Sequence, residues 1–201
     1  WEYRGRLADE DLDEILAEME SAAGRLDRLV ANLLEMSLVE HGLLALEISP
    51  VQPEKLMRKA LEGLNFTGNR GRVEVAPCEN SRPLPADEDK VVRILAILLD
   101  NALKYSPAAS PVKLWSEIRE EHALFNVLDR GPGIPEDERE NVFRRFYRLR
   151  GKGVRSGGMG LGLYVARNLA EKHGGRIWVE PAEGGGNLFR FCLPLRQPPP
   201  G

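Results

Sequence analysis

Three short motifs follow one another through the second half of the chain, and their order restricts the fold more than any other feature. They are Asn101-Ala102-Leu103-Lys104-Tyr105-Ser106-Pro107, Asp129-Arg130-Gly131-Pro132-Gly133-Ile134 and Gly157-Gly158-Met159-Gly160-Leu161-Gly162-Leu163. The first supplies an amide and a cation. The second sets a lone carboxylate after an apolar run. The third is a glycine run that opens a helix. A fold that uses all three must bring a helix end, a strand end and a helix start to one place. That equipment suits a nucleoside triphosphate with its metal ion.

Each motif alone is a weak signal. Glycines let the backbone approach phosphate, and a helix start offers free N–H groups and a positive dipole. No Lys-Ser or Lys-Thr follows, so the run is not a P-loop, and its spacing is not the dinucleotide pattern. Tight helix–sheet packing accounts for the same glycines equally well. Asp129 can accept a hydrogen bond from a ligand amine such as that of adenine. Alone, it is more often a turn former. The amide oxygen of Asn101 is a hard ligand suited to Mg²⁺, and the Lys104 ammonium suits phosphate. Residues 97, 101, 104 and 105 share one helix face. A solvated helix end is the plainer alternative. However, Asn101 interrupts the apolar stretch Ile94 to Leu103, and a polar residue on a buried helix needs a partner.

Between the second and third motifs lies Phe143-Arg144-Arg145-Phe146-Tyr147-Arg148, which alternates cations with aromatics. The formal net charge is −3, and there is no second basic patch. Arginines closing over phosphate therefore fit better than nucleic-acid contact. Arg144 to Ser156 is expected to form a mobile lid.

The 201 residues suffice for one domain plus an appendage. Cys78 and Cys192 stand far apart without metal-ligand spacing, so they are expected as two buried thiols in a reducing compartment. No apolar run approaches the roughly 18 residues of a membrane span, and no signal peptide is evident. The sequence starts at Trp1, which predicts a piece of a longer chain whose membrane segment, if any, lies elsewhere.

The first forty residues carry a heptad seam at Leu12, Leu16, Met19, Ala23, Leu26, Val30, Leu33 and Ser37, widened by Ile15, Ala22, Leu29 and Leu34. This predicts a long helix that stops near Gly42 and dimerises. Packing back on its own domain is the alternative. His41, at the helix end, suits a carbonyl cap.

Beyond residue 50, Pro53 to Leu64 reads as a helix, Arg72 to Ala76 as a strand and Pro83 to Pro85 as extended chain. Asp87 caps a long helix to Tyr105. Val112 to Ile118 and Ala123 to Leu128 read as strands, and Pro135 to Phe143 as a short helix. Met159 to His173 reads as a helix ended by Gly174-Gly175. Arg176 to Glu180 and Leu188 to Leu193 read as strands joined by Gly184-Gly185-Gly186. This is an α+β class, one sheet with helices on one face.

The ordered set resembles the catalytic and ATP-binding domain of bacterial sensor histidine kinases, in the gyrase–Hsp90–kinase–MutL superfamily. Asp100 to Pro107 looks like its N box, Asp129 to Ile134 like G1, Phe143 to Arg148 like the F box and Gly158 to Leu163 like G2. Arg25 to Ser37 is similar to the second helix of the dimerisation and phosphotransfer domain, and its wording has a weaker similarity to KdpD-type kinases. The resemblance implies a two-layer α/β sandwich of the Bergerat type behind a long dimerisation-type helix. It divides the chain into a partial dimerisation and phosphotransfer helix (1–45), an ATP-binding domain (50–195) and a disordered tail (196–201).

By the same resemblance, Asp129 holds the adenine amine, Asn101 ligates Mg²⁺, and Lys104 and Arg148 meet phosphate. Tyr105, Gly131, Gly133, Ile134, Arg145, Gly158, Gly160, Leu161, Gly162 and Leu163 complete the ATP site. The implied partners are a second copy of the parent and a response-regulator receiver domain. The implied location is the cytoplasmic side of an inner-membrane sensor. Two departures stand out. Ile97 stands where the family has a second asparagine, and an apolar side chain cannot ligate Mg²⁺. In addition, none of His41, His122 and His173 lies in the His-Glu-Leu-Arg-like context of the phosphoacceptor. A nucleotide-sensing or partner-binding pseudokinase is therefore the alternative. The F box and the dimerisation-like helix argue against a serine kinase or a plain ATPase of the superfamily.

Overall fold

A computed structural model describes residues 9–64, 70–78, 81–149 and 159–196. The chain divides into two units, Trp1–Leu43 and Leu44–Gly201. The first is the helix α1 (Asp9–Glu40). Beyond it His41 Nδ1 lies 2.7 Å from the Ser37 carbonyl, and Leu43 N donates to Leu38 O at 2.9 Å. These bonds satisfy carbonyls that a helix end leaves open. Leu12, Leu16, Met19, Leu26, Val30 and Leu33 of the heptad seam are exposed.

The second unit runs β1 (Ser49–Val51), α2 (Pro53–Glu62), β2 (Val73–Val75), β3 (Leu84–Ala86), α3 (Glu88–Tyr105), β4 (Val112–Arg119), β5 (His122–Leu128), α4 (Gly162–Lys172), β6 (Arg176–Pro181) and β7 (Asn187–Pro194). Strand order in the main sheet is β2-β4-β5-β7-β6. Among the described residues only the β2–β4 pair is parallel. The alternation of β4, β5 and β7 sends Val112, Leu114, Ala123, Phe125, Val127, Phe189, Phe191 and Leu193 into the core. Phe125 and Phe191 are register partners, and their rings stack at 5.6 Å. Helix α3 packs between α2 and α4, and its buried face includes Val91, Ile94, Leu95, Leu98 and Leu99. Each such fully buried side chain contributes about 1.5–3 kcal/mol.

On the opposite sheet face, Arg190 joins three strands. Its Nε donates to Glu180 at 2.9 Å and a terminal nitrogen donates to Asn126 at 3.3 Å. Asn126 Nδ2 in turn donates to Glu117 at 3.4 Å. The fully buried Asn126 is thereby paired rather than orphaned.

Four local expectations change. Pro135 to Phe143 is not one helix but two 3₁₀ turns, Glu136–Glu138 and Asn141–Phe143. Only Val142 and Phe143 are buried there, so no apolar stripe supports an α-helix. Helix α4 starts at Gly162, not Met159, because Gly160 sits at φ +70°, outside helical backbone. Arg72 belongs to a 3₁₀ turn (Arg70–Arg72) rather than to β2. The sheet is not alone: β1 and β3 form a separate antiparallel ribbon. The middle and end of the expected lid, residues 150–156, and the tail residues 197–201 lie outside the described residues, as do Gly157 and Gly158.

His173 ties three of these elements together. Its Nδ1 donates to Leu169 O at 2.7 Å, and its Nε2 accepts from the backbone N–H of Asp87 at 3.2 Å. Asp87 caps α3 by accepting from Lys90 N at 3.1 Å and holds the β1 approach by accepting from Glu47 N at 2.9 Å. Burial holds His173 below its ordinary value of 6.5. The neutral ring is thus the folded form, and its contribution is present above that pH and lost as pH falls through the folded value. His173→Leu strands the Asp87 N–H, at a cost of about 1–3 kcal/mol. In urea denaturation at pH 7.5, His173→Leu is expected to be less stable by that amount, and the gap should narrow as pH falls through 6.5.

Candidate nucleotide site

Asp129 stands where β5 leaves the sheet and is 2% exposed. Its backbone N–H donates to Asn187 O at 2.9 Å, carrying the β5–β7 ladder one residue past Leu128 and Leu188. Oδ1 accepts from Gly131 N at 2.7 Å and from Asn187 Nδ2 at 3.1 Å. Among the described residues, Oδ2 accepts only the longer 3.3 Å bond from the same Nδ2. Burial raises the Asp129 carboxyl above its ordinary value, while these donors and the Arg130 charge pull it back. The result is a buried acceptor with spare capacity on Oδ2.

The loop after it is fixed from the other side. Asn187 Oδ1 accepts from Ile134 N at 2.9 Å and Nδ2 donates to Pro132 O at 3.0 Å. Arg130 donates to the carbonyls of Glu183 and Gly185 at 2.7 and 2.9 Å. Gly133 lies beside Gly186, whose φ is +97°. A Cβ on Gly186 would fall 2.1 Å from the Asp129 carbonyl oxygen. The glycine turn between β6 and β7 is therefore a wall of the site.

The end of α3 meets this loop directly. Ser106 Oγ accepts from Arg130 N at 3.1 Å, and Gly131 lies against the Tyr105 carbonyl. Arg72 donates to the carbonyls of Leu103, Pro107 and Ser110 at 3.2, 2.8 and 3.3 Å. These bonds anchor the backbone around this helix end. Asn101, by contrast, is half-buried and makes no hydrogen bond among the described residues. Lys104 makes no ion pair there, and its Nζ lies 5.0 Å from the Tyr105 ring centre.

The third motif joins the first through Ile97. This residue is 8% exposed, and a Cβ on Gly162 would be 3.3 Å from its Cγ2. Leu161 is buried at the start of α4, while Gly162 and Leu163 are half-buried. The aromatic–basic segment docks on Gly160, whose carbonyl accepts from Phe146 N at 3.0 Å. A Cβ on Gly160 would fall 2.5 Å from the Tyr147 carbonyl. Phe146 is exposed at φ +60°, a conformation that costs a non-glycine residue energy, and Arg145 stacks on its ring at 4.8 Å. Tyr147 donates its hydroxyl to Glu138. Arg148 is exposed, and Gly158 is outside the described residues.

Asn187 and Arg72 were not singled out from the sequence. Asn187 left a signal: it occupies the inner register of β7 with Phe189, Phe191 and Leu193, where a polar side chain requires a partner. Arg72 left none, because it acts on carbonyls that every residue carries.

With this geometry in place, comparison with known proteins assigns the class. The chain belongs to the histidine kinase-, DNA gyrase B-, and HSP90-like ATPase family, whose model matches residues 86–197. It is 34% identical over 178 residues to the sensor histidine kinase WalK of Bacillus subtilis, covering 86% of this chain and 29% of that protein. It is 35% identical over 188 residues to the sensor protein KdpD of Mycobacterium tuberculosis, covering 90% of this chain and 21% of that one. Among solved structures, full-length ShkA in complex with AMPPNP aligns at a TM-score of 0.74 and 28% identity, covering 96% of this chain and 40% of that one. The chain spans under half the length of these relatives. The two-layer α+β fold is that of histidine kinase catalytic domains.

The close approach of Gly186 to Asp129 makes a direct prediction. Gly186→Ala must displace the Asp129 backbone, and is expected to lower stability by about 1–3 kcal/mol. Chemical denaturation measures the loss, and Gly71→Ala, whose Cβ meets open space, is the control.

Proposed function

We propose that residues 50–195 form the ATP-binding catalytic domain of a two-component sensor kinase, and residues 1–45 a part of its dimerisation and phosphotransfer helices. The observation that carries this reading is the buried Asp129 carboxylate with Oδ2 left open, beside an uncommitted amide and cation on α3. Asp129 accepts the amine of adenine on Oδ2. A carbonyl at that place on another base would face the carboxylate with no proton between them. Gly131, Gly133 and Ile134 hold the loop around the base.

Asn101 offers its amide oxygen to Mg²⁺, a donor chemistry that fits this metal. Ile97, packed on Gly162, cannot assist. Bound magnesium supplies neutralisation of phosphate charge. Lys104 and the lid arginines Arg145 and Arg148 bring positive charge to the triphosphate. Gly160, Leu161, Gly162 and Leu163 present the backbone at a helix start to the phosphates, and Gly158 is assigned to the same site from the motif alone. The γ-phosphoryl passes to a histidine on another segment of the parent and then to an aspartate of a response-regulator receiver domain. Two of the chain's histidines are committed elsewhere: His173 has both ring nitrogens engaged, and His41 caps α1. The exposed heptad seam of α1 supports pairing with a second copy. No described helix is long and apolar enough to cross a membrane. Attachment to an inner membrane, with this part on the cytoplasmic side, then belongs to other segments of the parent.

Ile97 supports one competing reading, a pseudokinase that senses nucleotide. Titration calorimetry with ATP, with and without Mg²⁺, separates the two. Binding that tightens with Mg²⁺ is expected, equal affinity would favour the pseudokinase, and no binding would end both nucleotide readings. Asp129→Asn is expected to weaken binding about ten- to hundredfold, the scale of a hydrogen bond to a charged group. Incubated with ATP, the chain alone should yield no phosphohistidine, and a signal would refute the assignment of the acceptor elsewhere.

A further inference from the structure

We propose that Asn187 is a positioning residue for the ligand-reading carboxylate: its amide locks Asp129 in one orientation and keeps Oδ2 available as an acceptor. The proposal deepens the nucleotide reading and rests on it. It is carried by the way every polar atom of this 4%-exposed side chain is spent. Nδ2 straddles the carboxylate at 3.1 and 3.3 Å and also donates to Pro132 O at 3.0 Å. Oδ1 accepts from Ile134 N at 2.9 Å. Turning the amide over would set its oxygen against a carboxylate and a carbonyl, and its NH₂ against an N–H. The three partners therefore fix its orientation.

One side chain thus joins the carboxylate to the loop that borders it. It acts on Asp129 in two ways. It holds the rotamer, so that Gly131 N and Nδ2 engage Oδ1 while Oδ2, which takes the longer bond from Nδ2, keeps a free lone pair. It also favours the ionised form, as donors to a carboxylate do. A protonated Oδ2 would present a donor to the ligand's amine, which is itself a donor. Loss of Asn187 therefore changes which pH the site tolerates, beyond how well the loop is ordered.

The ionisable side chains on the surrounding elements include Arg130 on the same loop, Lys104 and Tyr105 at the end of α3, and Glu183 in the glycine turn. Arg139 donates to the Ile134 carbonyl at 3.4 Å, and Arg72 holds the carbonyls after α3. Of these, Arg130 acts on the carboxylate, and its guanidinium is held by Glu183 O and Gly185 O rather than by Asn187. None of them is removed in the variants below.

The test is the titration of the Asp129 carboxyl carbon by NMR in the nucleotide-free protein, together with ATP affinity by calorimetry across pH. Asn187→Leu removes the amide and keeps its bulk. Asn187→Ala makes the same test should leucine disturb folding, and Asn187→Thr returns a single hydroxyl donor. With the amide gone, the Asp129 midpoint is expected to rise by about one pH unit. The acid limb of ATP binding should move with it, and threonine should restore part of both. An unmoved midpoint in a folded Leu or Ala variant overturns the proposal. So does an affinity loss that is uniform across pH, which is what a merely structural residue would give. A wild-type protein that fails to bind ATP would sink the nucleotide reading, while the nucleotide-free titration would still decide what Asn187 does.

Discussion

The junction between Asp129, one residue past β5, and Asn187, the first residue of β7, governs the rest of the site. There the backbone ladder runs on from Leu128 and Leu188 to Asp129 and Asn187, and the side chains of the same two residues bond again. Behind the junction lies the stacked Phe125–Phe191 pair, which fixes the two strands against the helices. In front of it hang the 131–134 loop, the glycine turn and the end of α3. A carboxylate buried at such a place is costly, and its donors offset that cost only while the ladder stays in register.

Helix α3 shows how the chain separates scaffold from chemistry. Its apolar face is spent on the core, and the contacts of its N-cap residue Asp87 reach as far as His173. At its other end Arg72 and Ser106 anchor the backbone, yet Asn101 is left without a hydrogen bond and Lys104 without an ion pair among the described residues. Groups held in place by an anchored backbone need little reorganisation when a ligand arrives, which is the basis of electrostatic preorganisation. Ile97 follows the opposite logic: it strengthens the α3–α4 packing at a position that could otherwise face the ligand.

Much of the fold was legible because periodicity reports burial. Helices α2 and α3 and the hairpin β4–β5 follow directly from apolar spacing, caps and turns. What escaped was too short or set by distant partners. The strands β1 and β3 have three residues each, fewer than a pattern needs, and exist by pairing with each other. The start of α4 is set by Gly160 docking under Phe146 and Tyr147, a contact between positions far from a local window. The candidate site was legible in its polar interruptions, Asn101 and Asp129. Asn187 broke an apolar face in the same manner, but its meaning depends on the register between β5 and β7, which only the folded sheet supplies.

The Arg72 clamp carries a consequence of another kind. A guanidinium that gathers the carbonyls of residues 103, 107 and 110 measures the spacing of the chain and is blind to its side chains. The loop after α3 is therefore free to drift in composition while its length is held constant. Among descendants of this sequence, the 107–110 segment should diversify by exchange and almost never by insertion.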